Sequence, residues 1–215
     1  MTIRAKLYAA MVMTVLGPVI TIGVAFAAFS SLSDRFDEVS ARSNRQALAQ
    51  EIKFAVTDLN GWQTAYGYDN GRSRPQFERS AQNARRLLAR AQRELTEPRE
   101  RTILARLRSS FEQCMRLDVV AYQALREGRE ARVRQIFLGP EIRNFEAMAS
   151  AAGQLAAEEA RRNAEVEREF DQRLTDAKKT LVIVGLGAGV LIILLLLTAS
   201  DIARLALERH AEREP

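Results

Sequence analysis

Two uncharged runs and four apolar seams organise this chain. Leu181 to Ser200 reads LVIVGLGAGVLIILLLLTAS, and about 20 apolar residues are what a helix needs to cross the hydrocarbon core. Leu7 to Ser30, LYAAMVMTVLGPVITIGVAFAAFS, is a second uncharged run behind Arg4 and Lys6. It is long enough to span, and Gly17-Pro18 kinks such a helix without breaking it. Ala25-Phe26-Ala27 also mimics a signal-peptide cleavage site, but the length of the run favours an uncleaved anchor. The expected layout is a cytoplasmic N-terminus (1–6), a first transmembrane helix (7–30), an outer domain (31–180), a second transmembrane helix (181–200) and a cytoplasmic tail (201–215).

Between the runs, apolar positions recur in steps of three and four. Leu48, Ile52, Ala55, Leu59, Trp62 and Tyr66 form one seam. Phe77, Ala81, Ala84, Leu88, Ala91 and Leu95 form the second. Leu104, Leu107, Phe111, Cys114, Asp118, Ala121 and Leu125 form the third. Ile142, Phe145, Ala149, Ala152 and Ala156 open the fourth, which Val166, Phe170, Ala177 and Leu181 continue. Such spacing marks a core-facing helix stripe. Asp69-Asn70-Gly71 with Pro75, Thr96-Glu97-Pro98 and Gly128 are the breaks, and Gly139-Pro140 closes a short helical turn. The pattern predicts helices over about 31–70, 75–96, 98–127 and 141–180. The expected fold is all-α, a membrane-anchored antiparallel four-helix bundle with two transmembrane helices. The outer helices would reach about 60 Å and the middle pair about 33–43 Å at 1.5 Å per residue. A two-helix stem has a thin core, so a homodimer is expected.

Charge then sets the orientation. Arg4 and Lys6 precede the first run, and Arg204, Arg209 and Arg213 follow the second. Both ends are expected on the cytoplasmic side of the inner membrane, since positive flanks stay inside and a long loop crosses regardless of its own charge. The 215 residues carry a net charge of +5, yet an extracytoplasmic domain makes nucleic acid an unexpected partner. Composition excludes other chemistry. There is one cysteine, Cys114, and one histidine, His210, so no disulfide, cysteine metal cage or histidine triad is expected. No phosphate loop or paired-carboxylate spacing occurs. No metal, cofactor or enzymatic activity is expected.

The order of short basic start, span, long helical outer domain, span and tail resembles the four-helix-bundle sensor domains of bacterial chemoreceptors, the methyl-accepting type, and of related receptors with cyclase or kinase outputs. The stretch Asp58-Leu59-Asn60-Gly61-Trp62-Gln63-Thr64-Ala65-Tyr66 resembles the end of the first helix in that group. The resemblance implies transmembrane signalling: an outer ligand biases a small displacement of the last helix. After Ser200 only DIARLALERHAEREP follows, so the output is expected from a separate chemoreceptor, kinase or cyclase partner. The alternative is a non-sensing envelope scaffold for cell-wall or division machinery.

The candidate ligand residues are Asn60, Trp62, Tyr66, Asn83 and Asp118. Asp118 falls on a seam, and a buried carboxylate needs donors. The Trp62 indole and the amides of Asn60 and Asn83 supply them at the same helical level. The competing reading is a satisfied polar layer that fixes register. Residues 72–108 hold 11 Arg against 4 Glu, a basic face that suits an anionic ligand or simple solvation. Residues 158–176 hold 7 acidic and 4 basic side chains. Glu158, Arg161, Arg162, Glu165, Glu169 and Arg173 have the spacing of exposed helix pairs, whereas Glu159 and Asn163 enter the seam. Gly185 and Gly189 in the second run have small-residue spacing.

Overall fold

A computed structural model describes residues 3–211. The outermost positions of the two expected cytoplasmic ends, 1–2 and 212–215 with Arg213, lie outside the described residues. The described chain is helical without a strand: α1 (Ile3–Tyr68), α2 (Arg74–Glu94), α3 (Pro98–Arg126), α4 (Glu130–Ile136), a π-helical turn (Phe137–Glu141) and α5 (Ile142–Ala211). It divides into two compact units, one of Met1–Asp37 with Arg168–Pro215 and one of Glu38–Glu167.

The Glu38–Glu167 unit holds the core. α1 gives Leu48, Ile52, Leu59 and Tyr66. α2 gives Phe77, Leu88 and Ala91, and α3 gives Leu104, Leu107 and Phe111. α5 gives Met148, Ala152 and Leu155. Burying each Leu, Ile or Phe contributes about 1.5–3 kcal/mol, so this shared core outweighs the modest helix propensity of any one segment.

Local chemistry fixes where the helices stop. After Tyr68 the chain reverses through Asn70 (φ 55°) and Gly71 (φ 89°), a left-handed region that glycine and asparagine enter at least cost. The Gly71 N–H donates to Tyr66 O at 2.8 Å, closing the helix end. The Asp69 carboxylate accepts from the Ser73 N–H (3.2 Å) and Ser73 Oγ (2.5 Å). That clasp makes Arg74 the first residue of α2. Gly128 (φ 68°) ends α3, with the Arg129 N–H donating to Ala124 O at 2.9 Å.

The fourth seam departs from the sequence pattern. Gly139-Pro140 does not break the chain. The helix widens into the π-turn Phe137–Glu141 and runs on as α5. Proline has no N–H and its ring crowds the carbonyl four residues back; a single wider turn absorbs the misfit. Glu141 at the end of the turn is buried, as are Asn144, Met148, Ala151, Ala152, Leu155 and Ala156 after it; of the expected seam, Ala152 and Ala156 are buried, while Ile142 is 45% exposed. Asn144 belongs inside because its Nδ2 donates to Ser110 O at 2.8 Å.

The continuous helix Glu130–Ser200 contains a window long and apolar enough to cross a membrane, none of it buried. In α1 the corresponding apolar stretch is shorter, Thr14–Ala27, although Tyr8, Met11, Phe26 and Phe29 around it are exposed. A Cβ on Gly17 would lie 3.1 Å from Leu191 Cδ2, so the glycine is where the two apolar segments approach.

Candidate functional site

Asp118 is buried on α3 and gathers three helix segments. Arg74 Nη1 donates to its Oδ2 at 2.7 Å. The Tyr66 hydroxyl makes a short hydrogen bond to Oδ1, and Gln63 Nε2 reaches Oδ1 at 3.5 Å. The Arg74 guanidinium lies over three rings, 4.3 Å from the Tyr122 centroid, 4.8 Å from Phe77 and 5.2 Å from Tyr66. Its Nε also bonds Glu78 at 3.0 Å. Arginine suits this seat because its planar cation stacks on rings while its fork grips carboxylates. Burial pushes the Asp118 carboxyl above the usual range, against the pull of Tyr66 and Arg74. Burial and the adjacent Asp118 also push the Tyr66 hydroxyl far up, so Tyr66 remains a donor.

Next to this layer the π-turn places Glu141 in the core, 3% exposed. Its Oε1 accepts from Cys114 Sγ at 2.8 Å, and its Oε2 has no hydrogen-bond partner. Burial raises its carboxyl, Cys114 and Gln63 draw it down, and Asp118 raises it further. The Cys114 thiol is itself pushed far up by burial and by Glu141, which makes it a donor and not a reactive thiolate.

Glu141 also lines a cleft of about 440 Å³ between the end of α1 and the α4–α5 segment. From α1 come Asn60, Gln63, Thr64, Gly67 and Tyr68. From the other wall come Val133, Arg134, Phe137, Leu138, Ile142, Phe145 and Glu146. The walls are mostly apolar, and Glu141 and Gln63 bring polar atoms inside. A Cβ on Gly67 would lie 2.5 Å from Phe137 Cε2, so glycine is what lets the π-turn sit against α1. The volume falls within the ~300–1,000 Å³ of small-molecule sites.

A second acid layer occupies another level of the same unit. Glu100 is fully buried; it accepts from Arg162 Nη1 at 2.9 Å and from the Glu97 N–H at 3.1 Å. Glu158, 5% exposed, takes Arg162 Nε at 3.0 Å and Arg161 Nη2 at 2.9 Å. Glu159, 1% exposed, has no hydrogen-bond partner on either oxygen. Burial and the facing Glu100 push its carboxyl up to about 7, against Arg162 and Arg42. Glu158 is therefore buried, where the sequence pattern placed it on an exposed face, while Glu159 and Asn163 do lie inside.

The five sequence candidates separate. Tyr66 and Asp118 meet directly. Asn60 is half-buried and lines the cleft. Trp62 is not on the inner seam: it is 36% exposed, and its Nε1 donates to Asp58 Oδ1 at 3.0 Å. Asn83 does not reach Asp118; its Oδ1 accepts from Arg86 at 3.3 Å, and with Trp62 and Asp58 it flanks a shallow surface recess. Sequence reasoning missed Gln63, Arg74 and Glu141. Arg74 was legible as the first residue after the Asp69–Ser73 clasp, and Glu141 as the acid following Gly139-Pro140. Among the described residues no three His, Cys, Asp or Glu side chains are placed to hold a metal ion.

No family model, curated protein or solved structure matches this chain, so the functional reading rests on its own residues.

Proposed function

We propose that this chain is a membrane-anchored sensor of chemoreceptor type. Its outer domain, an antiparallel four-helix bundle, takes a small molecule in the cleft beside Glu141. The two apolar runs, Leu7–Ser30 and Leu181–Ser200, cross the cytoplasmic membrane and leave residues 31–180 outside. The observation that carries the reading is the cleft itself, an apolar-walled cavity lined by Glu141, a buried acid with one carboxylate oxygen that has no hydrogen-bond partner. A cavity built only for stability would not keep an orphan acceptor at its wall, because such an atom costs about 1–3 kcal/mol. The helix that begins at the cleft residue Ile142 also contains the 181–200 run.

A ligand that fills the cleft holds the π-turn against α1 and selects one setting of α5. A small axial or rotational shift of that helix is the signal, and its size is bounded by the ligand's preference for one setting over the other. The exposed apolar side chains from Tyr8 to Phe29 and from Leu181 to Leu197 are read as lipid-facing. A homodimer completes the stem, and a separate receptor, kinase or cyclase receives the shift.

Crosslinking in native membranes followed by identification of the captured proteins tests this. Recovery of the chain itself with a receptor, kinase or cyclase is the expected result. Recovery of wall-synthesis or division proteins alone would replace the sensor with an envelope scaffold.

A further inference from the structure

We infer that the cleft selects an amphiphilic organic cation, a primary amine carried on a compact apolar or aromatic body. This rests on the sensor reading and assigns the chemical class of its ligand.

The polar end of the ligand is dictated by Glu141. The residue is 3% exposed, one oxygen is committed to Cys114 at 2.8 Å, and the other has no partner. That oxygen needs a hydrogen-bond donor, and an ammonium brings donors together with the opposite charge. A carboxylate ligand would meet the Glu141 carboxylate inside the cleft and find a cation, Arg134, only at its exposed side. Arg74, the nearest buried cation, is already held by Asp118 at 2.7 Å and Glu78 at 3.0 Å. Arg134, 69% exposed, lies 3.9 Å from Glu130. Among the lining residues the two acids Glu141 and Glu146 stand against the one cation Arg134, which leaves one negative charge in excess.

The apolar end is dictated by the walls. Phe137, Phe145, Leu138 and Val133 line the space, and aromatic and aliphatic side chains suit a cation's apolar body. Burial raises the Glu141 carboxyl, and an ammonium docked against it stabilises the ionised form.

The test uses the full chain in lipid nanodiscs and three probes of similar shape: phenethylamine, 3-phenylpropionate and 3-phenyl-1-propanol. Titration calorimetry and melting temperature are the readouts. Phenethylamine is expected to bind at least about tenfold more tightly than either analogue and to raise the melting temperature. Glu141→Gln is expected to erase that preference while the alcohol still binds. Should Glu141→Gln fail to fold, Leu138→Lys carries the test, because Leu138 is 74% exposed and its replacement leaves the core alone. A cation at this wall is expected to weaken phenethylamine several-fold more than it weakens the alcohol, which loses only the apolar contact. Tighter binding of the carboxylate, equal binding of all three, or an amine preference that survives these variants overturns the inference and leaves small-molecule sensing standing. Silence from all three probes overturns the inference also, and the sensor reading then stands or falls on the crosslinked partner.

Discussion

Two levels of the Glu38–Glu167 unit bury acids, and they treat them in opposite ways. Around Asp118 each acid has an assigned neighbour: Arg74 caged by three rings, the Tyr66 hydroxyl, and for Glu141 the Cys114 thiol. Around Glu159 no cation makes a hydrogen bond to the acid, and Arg42, whose Nη1 is buried without a hydrogen-bond partner, acts on it only through its charge. Arg162 serves Glu100 and Glu158, and Glu159 is left without a hydrogen-bond partner. A buried charge is tolerated when its partner is desolvated with it, and otherwise the group holds its proton. The Asp118 carboxylate is thus held by a desolvated cation, whereas Glu159 is left to its proton. The contrast can be broken at either end.

The largest effect is expected from Asp118→Ala. It leaves Arg74 inside an aromatic cage without its buried counterion and Tyr66 without its acceptor. Removing one member of a buried pair costs about 3–5 kcal/mol. Denaturant melting of the helical signal is expected to show a loss in that range. Arg74→Met, which removes the cation from the other side, is expected to leave Asp118 protonated and to cost less. Equal losses would mean that Asp118 gains nothing by taking a proton once the guanidinium is gone, and a negligible loss from Arg74→Met would mean that Tyr66 and Gln63 hold Asp118 without it.

Next comes Gly67→Ala at the edge of the cleft. Its Cβ would lie 2.5 Å from Phe137 Cε2, and Phe137 stacks edge-on to Tyr66 at 6.0 Å, so the ring cannot move freely. Overpacking of this kind costs about 1–3 kcal/mol. The double variant Gly67→Ala/Phe137→Leu is expected to recover part of it, measured by the same melts. No recovery would place the strain in α1 and not at the π-turn.

How much of this was legible depended on what each residue contributes. The apolar seams of α1, α2 and α3 were readable because Leu, Ile, Phe and Ala at three-four spacing have one physical use. The step from Leu59 to Tyr66 was ambiguous: through Trp62 it runs three then four, through Gln63 four then three. Hydropathy chose Trp62. The fold chose Gln63, because a buried acid layer needs its amide, while Trp62 finds Asp58 at the surface. The fourth seam slipped for a related reason. Pattern counting skips polar residues, and Glu141 and Asn144 became core through a π-turn that no periodicity announces. Asp118 was found since it interrupts an apolar stripe. Its true counterion, Arg74, lies 44 positions away in the chain and was hidden among the many arginines of residues 72–108.

The acid layer at Glu159 gives a smaller, pH-dependent effect. Glutamate titrates near 4.5 in the unfolded chain, and burial with Glu100 opposite lifts folded Glu159 to about 7. Between those values the folded state holds more protons, so stability is full below about 4.5 and is lost as pH rises towards 7. Asp118 and Glu141, also raised, act in the same direction, so the readout is the difference between wild type and Glu159→Gln. The variant is expected to lose about 2 kcal/mol or less of that fall. Parallel stability curves for the two proteins across pH 4.5–7 would assign the slope to the Asp118 layer.

The smallest effect sharpens the comparison from outside. Trp62 donates to Asp58 at 3.0 Å, and Ser80 Oγ donates to the other Asp58 oxygen at 2.6 Å. This acid sits at the surface near the Asp118 level, with water available. Losing a donor there costs little, because solvent replaces it. Trp62→Phe is therefore expected to change stability by about 0.5 kcal/mol or less. The same deletion applied inside, Tyr66→Phe, removes one donor from buried Asp118 and is expected to cost about 1–3 kcal/mol. Both variants remove a single hydrogen-bond donor from an aspartate. If their losses were equal by denaturant melting, burial would not be what separates the Asp118 layer from the surface, and Arg74 alone would carry the Asp118 site.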